Sequence, residues 1–166
     1  MLRYVNHDIV FREFPDEVTL AVNLSGCPLR CPGCHSPWLQ TDAGEELTET
    51  RLSALVDDYA GAVTCVALMG GDADASAVAR LLGMVKRRYG GRFRTGWYSG
   101  GETLPEGFCL SAFDYVKLGA WRAARGPLSS ATTNQRLYRV ADGRLTDITF
   151  RLQRPWLGKT VSEQPE

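Results

Sequence analysis

The 166-residue chain has no uninterrupted apolar run of about 18 residues, the length a helix needs to cross a bilayer. It has no excess charge of either sign: 19 Lys and Arg balance 19 Asp and Glu. A net charge near zero gives no general pull toward nucleic acid or an anionic membrane. The first residues lack the apolar stretch of a secretory signal, because Asn6, His7, Asp8 and Arg12 interrupt it. No internal repeat, low-complexity tract or linker composition divides the chain. These absences lead us to expect a cytoplasmic protein with no nucleic-acid or membrane partner. In that compartment thiols stay reduced, so the five cysteines point to metal or redox chemistry before disulfides.

What is present is an alternation of strand and helix. Residues 17–24 alternate and are rich in β-branched side chains, as a strand requires. A loop rich in Gly, Pro and Cys follows over residues 25–37. Leu52, Leu55, Val56 and Tyr59 fall on one helical face, with Thr48 or Thr50 as cap. The apolar run at 63–69 reads as a buried strand. Val78, Leu81, Leu82, Val85 and Tyr89 repeat the helical spacing behind Asp74, a second candidate cap. Further strands are expected at 93–98 and 113–118, then a hairpin of 136–140 with 147–152 around Asp142-Gly143. Such alternation predicts a parallel sheet. A closed eight-stranded barrel takes about 250 residues, so the expected fold is an α/β doubly wound sheet or an open, partial (β/α) barrel. Either would gather ligands at the C-terminal strand ends. A single domain is expected over residues 1–158, with a disordered tail at 159–166.

Cys27, Cys31 and Cys34 lie in the loop after the first expected strand, as C-x3-C-x2-C. Thiolates at these separations can serve one centre, and iron–sulfur clusters are held by cysteine thiolates, normally four of them. Three would leave one iron open to a substrate. Other readings stand beside this one. His35 would complete a Cys3His zinc set, although structural zinc usually draws its ligands from two separated pairs. Residues 31–35 spell C-x-x-C-H, a haem-attachment pattern that belongs outside the cytoplasm and leaves Cys27 idle. Cys31 and Cys34 also form a C-x-x-C dithiol, without a thioredoxin-like context. Three inert thiols would be poorly placed in an exposed Pro/Gly loop.

The cysteine run after the first strand of a β/α chain resembles the radical S-adenosylmethionine superfamily. Gly70-Gly71-Asp72, after the second strand, is similar to its Gly-Gly-Glu element, with Asp in place of Glu. Gly100-Gly101-Glu102 follows the third strand and reads as a turn. Within the superfamily the chain resembles the anaerobic ribonucleoside-triphosphate reductase activating proteins, which are glycyl-radical enzyme activases. That likeness rests on Cys31-Pro32-Gly33-Cys34-His35, on residues 96–100 and 113–119, and on Gly126-Pro127-Leu128 leading to Thr132-Thr133-Asn134-Gln135-Arg136-Leu137-Tyr138.

The resemblance implies an oxidoreductase with a partial (β/α) barrel of the radical S-adenosylmethionine type, its strands mostly parallel. It implies a [4Fe–4S] cluster on Cys27, Cys31 and Cys34, and S-adenosylmethionine as second cofactor. Backbone groups of Gly33, Cys34 and His35 would line the cofactor site. Gly70, Gly71 and Asp72 would hold its methionine end, and Lys117 would meet a carboxylate or ribose. No catalytic residue is expected beyond these ligands. The implied partners are the large subunit of a glycyl-radical ribonucleotide reductase and a low-potential electron donor such as a flavodoxin. Two competing functions are a radical enzyme with a small-molecule substrate and a non-enzymatic zinc module. Of the remaining residues, Cys65 is expected in the core, Trp97 in the core or with Tyr98 at the active-site rim, Trp38 beside the cluster loop as a shield, and Cys109 without a role.

Overall fold

A computed structural model describes residues 1–153; the expected tail at 159–166 lies outside them. In chain order the strands are β1 (Arg3–Val10), β2 (Thr19–Leu24), β3 (Glu45–Glu46), β4 (Cys65–Met69), β5 (Arg94–Tyr98), β6 (Tyr115–Leu118), β7 (Arg136–Ala141) and β8 (Arg144–Asp147). The α-helices among the described residues are α1 (Glu49–Tyr59) and α2 (Ala75–Arg88). Both predicted faces and both caps are present: Thr48 accepts from the Arg51 N–H at 3.1 Å, and Asp74 from the Ala77 N–H at 3.0 Å.

Among the described residues the strands make one eight-stranded sheet in the order β3-β1-β2-β4-β5-β6-β7-β8. This overturns the expected partial (β/α) barrel of mostly parallel strands. The sheet is open and mixed. Only β2–β4, β4–β5 and β5–β6 pair in parallel, while β1–β2, β1–β3, β6–β7 and β7–β8 are antiparallel. The physical reason lies at the two ends of the chain. Asn6, His7 and Asp8, which interrupt the N-terminus, belong to β1, a strand whose outer neighbour is the two-residue β3, so Asn6 and Asp8 reach solvent. At the other end the hairpin around Asp142-Gly143 adds β7 and β8. The β5–β6 crossover carries only a 3₁₀ turn, Leu110–Ala112, in place of a third α-helix.

One sheet face packs against both helices. Val22, Leu68, Trp97 and Val116 from neighbouring strands meet Leu52, Leu55 and Val56 of α1 and Val78, Leu81, Leu82 and Val85 of α2. The opposite face has a smaller core of Phe14, Cys65, Ala67, Tyr115, Leu137 and Ile148. Phe14, in the loop between β1 and β2, is fully buried there and stacks on Tyr115 with ring centroids 5.0 Å apart. Gly96 makes this possible: a Cβ there would lie 2.6 Å from Phe14 Cε2. Gly96→Ala is expected to lower unfolding free energy by about 2 kcal/mol through overpacking, and Phe14→Leu in the same chain to recover part of the loss. Urea denaturation of the two variants checks this; an unchanged midpoint for Gly96→Ala overturns the packing account.

Candidate iron–sulfur site

Four parallel strands finish at one edge of the sheet because their registers align. Asn23 of β2 pairs with Met69 of β4, Met69 with Tyr98 of β5, and Tyr98 with Lys117 of β6. The segments that leave these strand ends are the cysteine loop, Gly70–Asp74, Ser99–Glu102 and Gly119–Arg122, so the sequence-predicted residues arrive at a common edge.

The cysteine loop is tied at its base. The Gly26 N–H donates to Thr41 O and the Cys27 N–H to Leu39 O, each at 3.0 Å, and Ser25 Oγ donates to Ala43 O at 2.6 Å. Within it the Cys34 N–H donates to Cys31 O at 3.1 Å. All three cysteines are half-buried while Pro28, Leu29, Arg30, Pro32 and Gly33 between them are exposed. The loop therefore turns its thiols inward. The Ser36 N–H already donates to Cys34 Sγ at 3.4 Å, a contact that suits a thiolate. No three His, Cys, Asp or Glu side chains among the described residues gather as they would around one metal ion. A zinc site needs its four ligands at one centre, whereas in an iron–sulfur cube each thiolate binds its own iron. The donor chemistry, three thiols on one tied loop, fits the cube.

The other cysteines stay apart. Cys65 opens β4, at the far end of the strand from this edge; it is fully buried, which pushes its thiol up. Cys109 is exposed beside Ser111, 3.0 Å away, which draws its thiol down. Trp38 is 54% exposed, so the expected shield is itself largely in water. Trp97 is in the core as expected, its indole N–H donating to Gly70 O at 2.8 Å.

Gly71 has φ +86°, and a Cβ there would meet Val78 Cγ2 at 2.7 Å and Leu24 Cδ1 at 2.8 Å. The glycine pair therefore lies tight on the helix-side core. Asp72 is engaged across the gap to β5. Its carboxylate accepts from Ser99 Oγ at 2.5 Å, from the Gly100 N–H at 3.1 Å and from the Gly101 N–H at 3.3 Å. The second glycine-rich triplet is thus a turn, as read from sequence, and Asp72 is what it folds around.

Lys117 is buried and donates from Nζ to Ser99 O at 3.2 Å and to Gly119 O at 2.6 Å. Burial draws its ammonium down to about 8, against the opposing pull of Asp72, Cys31 and Glu102. His35 packs its ring on Trp121, centroids 4.2 Å apart. Trp121 attracted no notice in the sequence; only an aromatic residue three positions after the strand end would have marked it.

Comparison with family models matches residues 17–108 to the 4Fe-4S single cluster domain, a span from the start of β2 past β5 and more than half of the chain. No curated protein and no solved structure matches.

The buried ammonium carries a pH signature. In the folded chain Lys117 releases its proton near pH 8, and in the unfolded chain near 10.5. The penalty of burying its charge is therefore present below pH 8 and disappears as pH rises toward 10.5. Relative to Lys117→Met, the wild type should gain about 2 kcal/mol between pH 7.5 and pH 10. Paired urea unfolding curves at the two pH values measure this difference; a constant gap means that the ammonium is solvated.

Proposed function

The chain belongs to the 4Fe-4S single cluster domain family, and on that footing we propose that it cleaves S-adenosylmethionine reductively and passes the radical to a glycine of the anaerobic ribonucleoside-triphosphate reductase large subunit. The observation that carries this reading is the number and position of the thiols. Cys27, Cys31 and Cys34 share one loop, while Cys65 and Cys109 lie elsewhere, one buried and one exposed. A four-iron cluster then draws three thiolates from this chain and takes its fourth ligand from outside. The amino and carboxylate groups of S-adenosylmethionine form a chelating pair suited to that corner.

When bound, the cluster supplies the low-potential electron that breaks the sulfonium carbon–sulfur bond, releasing methionine and a 5′-deoxyadenosyl radical. The chain's own residues bind and orient. Cys27, Cys31 and Cys34 act as thiolate ligands. The backbone of Gly33, Cys34 and His35 lines the nucleoside side of the cofactor. The backbone of Gly70 and Gly71, seated tight on Leu24 and Val78, meets its methionine end, and Asp72 keeps a carboxylate there for the ammonium. Lys117 supplies the positive charge that balances the cofactor carboxylate. The electron comes from a low-potential donor such as a flavodoxin. The chain of 166 residues offers little beyond one domain to build an enclosing pocket, which favours a protein substrate, bringing its own loop, over a small molecule.

Anaerobic reconstitution tests the reading. The wild type should take up about four irons and, with dithionite, form 5′-deoxyadenosine from S-adenosylmethionine. Replacing any one of Cys27, Cys31 or Cys34 by Ala should abolish both, while Cys65→Ala and Cys109→Ala should spare them. Incubation with the reductase subunit should yield a glycyl radical signal in electron paramagnetic resonance. Protein that takes up no iron, or a loop-cysteine variant that still cleaves the cofactor, defeats the proposal; cleavage without a glycyl signal defeats its choice of substrate.

A further inference from the structure

The segment after β6 is fastened on successive residues. The Gly119 N–H donates to Gly101 O at 2.8 Å, Asn134 Nδ2 to Ala120 O at 3.0 Å, and Arg122 Nη2 to Glu102 Oε1 at 3.0 Å. Gly119, at φ +108°, leaves no room for a Cβ, which would meet Gln135 Cα at 2.9 Å. These ties hold the Trp121 indole against the cysteine loop, with its ring on His35 and its Nε1 3.8 Å from where a Gly33 Cβ would stand. Gly33 and His35 flank Cys34 in the chain. The Trp121 Nε1–H is buried, yet it has no acceptor among the described residues. A buried N–H without a partner is costly, and this one is held by three separate bonds against the loop that carries Cys34, whose thiol accepts an N–H from Ser36.

We infer that Trp121 donates its indole N–H to the iron–sulfur cluster at the Cys34 thiolate, and so is a positioning residue that sets the cluster's reduction potential. This rests on the reading of the cysteine loop as the cluster site. Reduction adds one electron, and hence one negative charge, to the cluster. A hydrogen bond to a ligand sulfur stabilises that more negative state and raises the potential.

Trp121→Phe keeps the ring on His35 and removes only the donor. Full-length wild type and variant, both reconstituted and free of S-adenosylmethionine, are titrated with dithionite under electron paramagnetic resonance. At the potential where the wild-type cluster is half reduced, the reduced-to-oxidised ratio in the variant should be about tenfold lower, a midpoint lower by about 59 mV for a one-electron couple. In wild type labelled with indole nitrogen-15 tryptophan, the reduced cluster should show coupling to that nitrogen, a measurement that stands even if the variant loads poorly. Equal midpoints in iron-replete proteins, or no nitrogen coupling, overturn the inference. Equal midpoints with weakened S-adenosylmethionine binding also overturn it and assign the N–H to that cofactor. Wild type that takes up no iron defeats the cluster-loop reading itself, a different outcome from iron-replete proteins with matching potentials.

Discussion

Everything at the candidate site depends on the shared register of β2, β4, β5 and β6. Asn23, Met69, Tyr98 and Lys117 pair in a continuous row. Parallel strands put all their C-terminal ends on one side, so four chain segments far apart in sequence leave the sheet within reach of each other. A one-residue slip at any of the three pairings would turn that strand's alternate residues to the opposite face. It would carry Lys117 or Tyr98 into the helix-side core and Trp97 or Val116 out of it. The large buried side chains of the helix-side core, Trp97 and Leu68 among them, therefore also fix where the thiol loop lies relative to Lys117.

At that edge the polar groups are nearly all engaged with each other. Asp72 gathers the Ser99 hydroxyl and the N–H groups of Gly100 and Gly101. Lys117 bonds the carbonyls of Ser99 and Gly119. The β4, β5 and β6 ends are thereby joined by one acid and one base, each bonded to backbone of a neighbouring strand end. Such a network specifies one arrangement because each member left unpaired would be costly. Two groups beside it are exceptions: the Trp121 N–H has no acceptor and Asn134 Oδ1 no donor among the described residues.

The helical faces were legible because period and caps agree: Leu52, Leu55 and Val56 behind Thr48, and Val78, Leu81, Leu82 and Val85 behind Asp74. The parallel strands were legible because strands buried on both faces are apolar throughout, as in residues 65–69. β1 was not, because its solvent-facing side carries Asn6 and Asp8, which break an apolar pattern without breaking a strand. Strand–helix alternation describes the middle of the chain and is silent about the antiparallel β1 added at its start. At the site, residue type and spacing marked the thiols and the glycine pair. The three bonds around Trp121 join residues up to 20 positions apart, and no local pattern records them. The Asn134-Gln135 pair, first noticed as a likeness, has a physical role here: Asn134 fastens Ala120, and Gln135 packs on Gly119.

The two sheet faces are closed to different extents. On one face the helices, with Phe108 and Phe113 of the β5–β6 segment, cover the parallel strands. On the other, Phe14 lies over the row Ala21, Ala67, Gly96 and Tyr115, all of them buried. One row further along, Asn23, Met69 and Tyr98 are only half-buried and Lys117 alone is fully covered. The β1–β2 loop therefore plugs the sheet up to a definite level: Tyr98 donates its hydroxyl to Glu13 O at 2.6 Å and marks where the plug ends. What stays open is the strip between that level and the cysteine loop. A group bound at the loop would have the Asn23–Lys117 row as its floor.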